Sequence, residues 1–159
     1  MVSPEGVQQT YAPSSICYGC GPANPHGLRI NSYREGEELV AVYRPEPHHH
    51  AFPGMVNGGI IGTLLDCHGN WAAAVALMEA NEEGEPPCTV TASYSVRLLR
   101  PTPMETDLKV TARVTKIEGR KAYHVPQRPH ISEQWRKHEM KSLRRALWQP
   151  MPRINTVQA

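Results

Sequence analysis

Cysteine, net charge and long charge-free runs are all scarce in this chain. Four cysteines in 159 residues do not make a dense disulfide framework. Cys17-x-x-Cys20 has no second CxxC, whereas structural zinc usually takes four well-placed ligands. The plainer reading is a compact Gly/Pro turn holding buried thiols, with metal none. Cys67, Cys88 or nearby histidines would complete a metal site only if the fold brought them there. Seventeen basic residues face fifteen acidic ones, so no strong overall charge points to a partner. No charged-then-apolar segment opens the chain, from which a soluble, cytoplasmic protein is expected. No stretch of about twenty apolar residues is free of charge, which argues against a membrane span. At this length a single domain with a real core is expected.

What is present is organised around Pro53–Met78, PGMVNGGIIGTLLDCHGNWAAAVALM. A Pro-Gly turn signal and the Gly58-Gly59 pair precede a run that is apolar on nearly every helical face. Such a helix is expected to be buried, and at 1.5 Å per residue it would cross a small domain. Asp66 in its middle is the anomaly, because an ionised carboxylate is rarely buried without a partner. Gly59, Gly62 or Thr63, Asp66 and Asn70 share one stripe at helical spacing. The glycines leave backbone N–H groups uncovered at a helix N-terminus, which favours negative charge. The stripe therefore carries a carboxylate two turns from an anion-stabilising helix end. A buried Asp satisfied by a cross-chain hydrogen bond explains the same residues equally well. Trp71 and Met78 read as core. His68 faces about 100° away from Asp66 and is not its dyad partner.

The flanks are coarser. Residues 1–16 are polar and turn-rich, expected over the surface or partly disordered. Ile30–Tyr33 and Leu39–Tyr43 read as short strands. Of His48, His49 and His50, one is expected to line the mouth of a site before the helix, with the others exposed. After an acidic Gly/Pro loop, Thr89–Leu99 alternates like a strand until Arg100-Pro101 stops it. Leu108–Ile117 alternates again, Glu118-Gly119 is a hairpin turn, and Arg120–Val125 starts a return strand. A long buried helix followed by antiparallel strands predicts an α+β fold, a sheet curled around one helix.

Three stretches, CYGCGPANPHGLRI, AFPGMVNGGIIGTLLDCHGNWAA and VTASYSVRLLRPTP, resemble the hotdog-fold acyl-CoA thioesterases of the PaaI-like group. The resemblance runs from about Cys17 to His124. It implies a hotdog fold with a long central helix wrapped by a curved antiparallel sheet, assembled as a homodimer or tetramer with sites at the dimer interface. It also implies hydrolysis of an acyl-CoA substrate without a cofactor. Asp66 matches the catalytic acid, as general base or nucleophile. Gly59 matches the residue whose N–H binds the carbonyl oxygen as charge develops. Thr91 falls near a hydroxyl residue that assists the water. Gly58, Arg100, Pro101 and Thr102 lie where substrate is contacted, and Arg97, Arg100 and Arg120 are candidates for its phosphates. Asn57 stands where the commonest motif has His. An amide there is a positioning group or a helix N-cap, and it does not titrate near neutrality.

The chain divides into an N-terminal extension 1–16, a hotdog domain 17–125 and an atypical basic tail 126–159. That tail carries seven basic and two acidic residues. Its alternation stops, and Pro126 and Pro129 should interrupt any central strand. A helix near Ser132–Trp148, disorder, or an altered reading frame would each account for the shift. A non-catalytic acyl-CoA-binding protein is the alternative function. Nucleic-acid binding through the basic tail is a distant third reading.

Overall fold

The structure, a computed structural model, describes residues 5–131. In chain order the elements are α1 (Val7–Tyr11), β1 (Tyr33–Glu35), β2 (Glu38–Tyr43), β3 (His50–Phe52), β4 (Met55–Val56), α2 (Gly58–Ala80), β5 (Leu108–Glu118) and β6 (Lys121–Ile131), with a short 3-10 turn at Pro47–His49. The main sheet is antiparallel in the order β1-β2-β5-β6, and β3 and β4 form a separate ribbon. α2 packs across this sheet as the core helix. It is long and apolar enough to cross a membrane by length and composition. Here its apolar residues are spent against the sheet instead.

Alternation explains the packing. On β5, Leu108, Val110 and Ala112 are buried while Lys109 and Arg113 are exposed. Register sets Ala41 opposite Val110 and Tyr43 opposite Leu108, which brings β2 and β5 onto one inner face. Leu64 of α2 meets Ala41, Tyr43 and Leu108, with Leu28 and Ile30 from the preceding loop. Farther along, Ala72 and Val75 meet Leu39 and Ala112. Ile61 and Leu65 meet Val56, Met104 and Val110 near the helix start.

Three expectations need correction. Residues 1–16 include α1, whose Val7 and Gln8 are buried. Gln8 is held because its Nε2 donates to Ser32 Oγ (3.0 Å) and its Oε1 accepts from Ser32 N–H (2.8 Å). Thr89–Leu99 forms no ladder with any described strand, and most of it is exposed. An alternating sequence supplies a strand's faces, but the strand also needs a neighbour for its backbone groups. Finally, pairing continues through Pro126, opposite Ala112, to Ile131. β6 is the outer strand of the described sheet, and an edge tolerates a residue without an N–H donor. The helix anticipated near Ser132–Trp148 lies outside the described residues.

Candidate active site

The start of α2 is built by a short run of local bonds. Asn57 is extended (φ −62°, ψ 133°) and caps the helix. Its Oδ1 accepts the Gly59 N–H at 2.7 Å, and its carbonyl accepts the Ile60 N–H at 3.1 Å. Asn57 is itself fixed from behind, donating its N–H to the His49 carbonyl at 2.8 Å. His49 is the inward member of the histidine triplet and is 3% exposed. Its Nδ1 accepts the Glu46 N–H at 2.9 Å and lies 3.2 Å from the Tyr43 hydroxyl. Burial, with His48 beside it, pushes the His49 pKa below the usual histidine range. Burial pushes the Tyr43 hydroxyl up to about 12. His49 thus supports the helix start, while His48 and His50 are exposed.

The chain from Arg100 to Met104 closes over the same end. Val56 N–H donates to the Thr102 carbonyl at 2.8 Å and Met104 N–H to the Gly54 carbonyl at 3.0 Å. Thr102 is buried by this clamp, whereas Arg100 and Pro101 are exposed beside it.

Thr89–Leu99 runs back along α2 over the predicted stripe. Asn70 Nδ2 reaches the Thr89 carbonyl (3.4 Å) and Thr91 Oγ1 (3.5 Å), and Thr89 Oγ1 donates to Asn70 Oδ1. A Cβ on Gly62 would stand 3.5 Å from the Tyr94 hydroxyl, and one on Gly58 would stand 3.0 Å from Leu98. Gly58, Gly62 and Asn70 thus lie under one antiparallel segment. Asp66 falls between Gly62 and Asn70 on that stripe. It is half-buried, and its buried Oδ1 accepts no hydrogen bond among the described residues. The cross-chain partner that would have made Asp66 structural is therefore missing among those residues.

The other predicted residues divide. Thr91 and Arg120 line one cavity of about 790 Å³, together with Asn70, Ala73, Leu77 and Tyr123. Arg97 lies exposed on the segment covering α2. The fold brings Arg120 to the Asn70 end of the stripe, while Arg100 stands beside the clamp at the Gly58 end.

Two clusters lay beyond sequence reasoning. His68 is fully buried, with Nε2 donating to the Leu39 carbonyl (2.9 Å) and Nδ1 2.9 Å from Ser32 Oγ. Gln8, Ser32 and His68 thereby link α1, the loop before β1, α2 and β2. The expectation that His68 does not pair with Asp66 fits this placement. In the second cluster Cys67 of α2 meets the Cys17–Cys20 turn. Cys17 Sγ lies 3.8 Å from Cys67 Sγ, and Trp71 Nε1–H donates to Cys20 Sγ at 3.3 Å. A hydrogen bond from Cys67, helped by the one from Trp71, lowers the Cys20 thiol to about 6 and raises that of Cys67. Cys20 is buried but Cys17 is exposed, so the turn does not bury both thiols.

No family model matches the chain. Acyl-coenzyme A thioesterase THEM4 of Xenopus laevis is 30% identical over 92 residues, covering 57% of this chain and 37% of that protein. THEM4 of Rattus norvegicus is 30% identical over 92 residues, covering 57% of this chain and 36% of that protein. The chain spans little more than a third of the length of these curated relatives. A thioesterase superfamily protein from Shewanella loihica of known structure is 35% identical, with a TM-score of 0.54 over 65% of this chain and 82% of its own. A second solved thioesterase superfamily protein, 22% identical with a TM-score of 0.57 over 73% of this chain and 55% of its own, shares the fold. The central helix and antiparallel sheet are those of the hotdog fold. The chain belongs to the thioesterase superfamily.

Proposed function

We propose that this protein hydrolyses an acyl-CoA thioester to coenzyme A and a carboxylic acid. The observation that carries the reading is Asp66, a half-buried carboxylate whose buried oxygen has no hydrogen-bond partner among the described residues, two turns from a glycine-rich helix start. Asp66 takes a proton from water as it attacks the thioester carbonyl, or attacks that carbon itself. The carbonyl oxygen gains charge, which the Gly59 N–H at the positive end of α2 stabilises. The carbon–sulfur bond then breaks. In the general-base route the coenzyme A sulfur leaves with the proton Asp66 took from water. In the covalent route it leaves as a thiolate, after which water hydrolyses the acyl–Asp66 anhydride to the carboxylic acid and restores Asp66. Thr91 assists the water from the neighbouring segment. Arg97, Arg100 and Arg120 are the cations for the coenzyme A phosphates, with Gly58, Pro101 and Thr102 beside the substrate at the helix start. We place the protein in the PaaI-like group, as a cytoplasmic homodimer or tetramer.

The test is thiol release from short, long and aromatic acyl-CoA esters, with Asp66→Asn alongside. Hydrolysis that disappears in a folded Asp66→Asn supports the reading, and unchanged turnover sinks it. One observation favours a second reading, a non-catalytic acyl-CoA-binding protein. Asn57 Oδ1 already holds the Gly59 N–H that would serve the carbonyl. Saturable binding of acyl-CoA without thiol release by the unaltered protein would select that reading.

A further inference from the structure

The Cys17–Cys20 turn is built to sit on the middle of α2. Gly21 N–H donates to the Cys17 carbonyl (2.9 Å), Leu28 N–H to the Tyr18 carbonyl (2.7 Å) and Ile30 N–H to the Gly19 carbonyl (3.0 Å). Gly19 is the point of closest approach. A Cβ there would overlap Cys67 Sγ and Thr63 Cγ2, so only glycine lets the turn settle on the helix. As a result Cys17, Cys20 and Cys67 bring their three sulfur atoms within 4.8 Å of one another, although 50 residues separate Cys17 from Cys67.

We propose that Cys17, Cys20 and Cys67 form a three-thiolate site for a thiophilic d10 cation, zinc in the first instance. Sulfurs bound about 2.3 Å from one tetrahedral ion stand about 3.8 Å apart. The Cys17–Cys67 separation of 3.8 Å matches one edge of such a tetrahedron. The outer limit of 4.8 Å leaves small side-chain rotations to close the others. Trp71 supplies an outer hydrogen bond to the Cys20 sulfur, the kind of second contact that orients a metal ligand. Cys17 is exposed, which gives the ion a way in and leaves the fourth position to water or an added thiol. The ion would tie the turn to α2 one residue from Asp66. This site is independent of the proposed hydrolysis.

The experiment uses the full chain, reduced and stripped with a chelator, then titrated with zinc chloride against a competing chelator. One equivalent of zinc per chain is expected, protecting Cys17 and Cys67 from alkylation while Cys88 labels as before. Cys17→Ser, at an exposed turn position, should weaken binding by about tenfold or more, and Cys88→Ser should leave it unchanged. Cobalt(II) should give sulfur-to-metal charge-transfer absorption that Cys17→Ser diminishes. Failure to retain zinc, or zinc held equally by Cys17→Ser and so assigned to His48–His50, would overturn the proposal. So would a Cys17–Cys67 disulfide in zinc-free protein that persists under the reducing conditions.

Discussion

Asn57 Oδ1 accepts the Gly59 N–H at 2.7 Å. The residue standing in place of a histidine is therefore the cap of α2, and it holds the donor that the reaction would use. Both roles meet in one hydrogen bond, so a single substitution separates them.

Asn57→Ala should cost about 1 kcal/mol of stability, the usual loss when an N-cap amide is removed. It also frees the Gly59 N–H, so kcat for thiol release should rise. Urea denaturation and steady-state kinetics on the same preparation measure both effects. A large fall in kcat would instead make Asn57 a positioning group for the carbonyl or the water.

His68→Leu should destabilise the protein by about 2–4 kcal/mol. It removes the His68 donor from the Leu39 carbonyl and one of the two side-chain partners of Ser32 Oγ, and it puts an apolar side chain among these buried polar groups. Ser32→Ala should cost less, about 1–3 kcal/mol, because Gln8 and His68 each keep one other contact point. Chemical denaturation would check the order. A Ser32→Ala midpoint far below that of His68→Leu would contradict it.

His49 gives a pH dependence. Its folded pKa is depressed, mainly by burial, so the unfolded chain binds the proton more readily. Stability from the neutral ring is therefore full above about pH 6.5, the unfolded value, and falls as pH drops from there through the lower folded value. Denaturation midpoints from pH 7.5 to 5 should decline, and His49→Asn should flatten that decline. A midpoint that rises on acidification would exclude this role.

Asn70→Ala should release Thr89–Ser93 from α2, since Asn70 contacts both Thr89 and Thr91. Amide exchange in that segment should speed while exchange in β5 stays slow. Thr91→Val should lower kcat more than KM if its hydroxyl serves the water. Equal exchange in Asn70→Ala and the unaltered protein would show that other contacts hold the segment.

How far the sequence reaches is clearest on α2. Its apolar run, its Asn-Gly-Gly start and the stripe carrying Asp66 are local properties, because helical period and capping act within a few residues. α2 does run from Gly58, and β5 and the β5–β6 turn fall where alternation and Glu118-Gly119 put them. The motifs around that helix were also enough to indicate the hotdog fold and the thioesterase superfamily. Only the tertiary structure decided the rest. Thr89–Leu99 has a strand's alternation, but a ladder needs a neighbouring chain segment, so it lies along α2 unpaired among the described residues. Pro126 looked like a strand breaker, yet it is tolerated because β6 lies at an edge of the described sheet. α1 is anchored through Gln8 and Ser32, a pairing across 24 residues that no local pattern announces. Cys17, Cys20 and Cys67 converge because Gly19 lets a loop touch the helix, a consequence of packing that spacing along the chain does not encode.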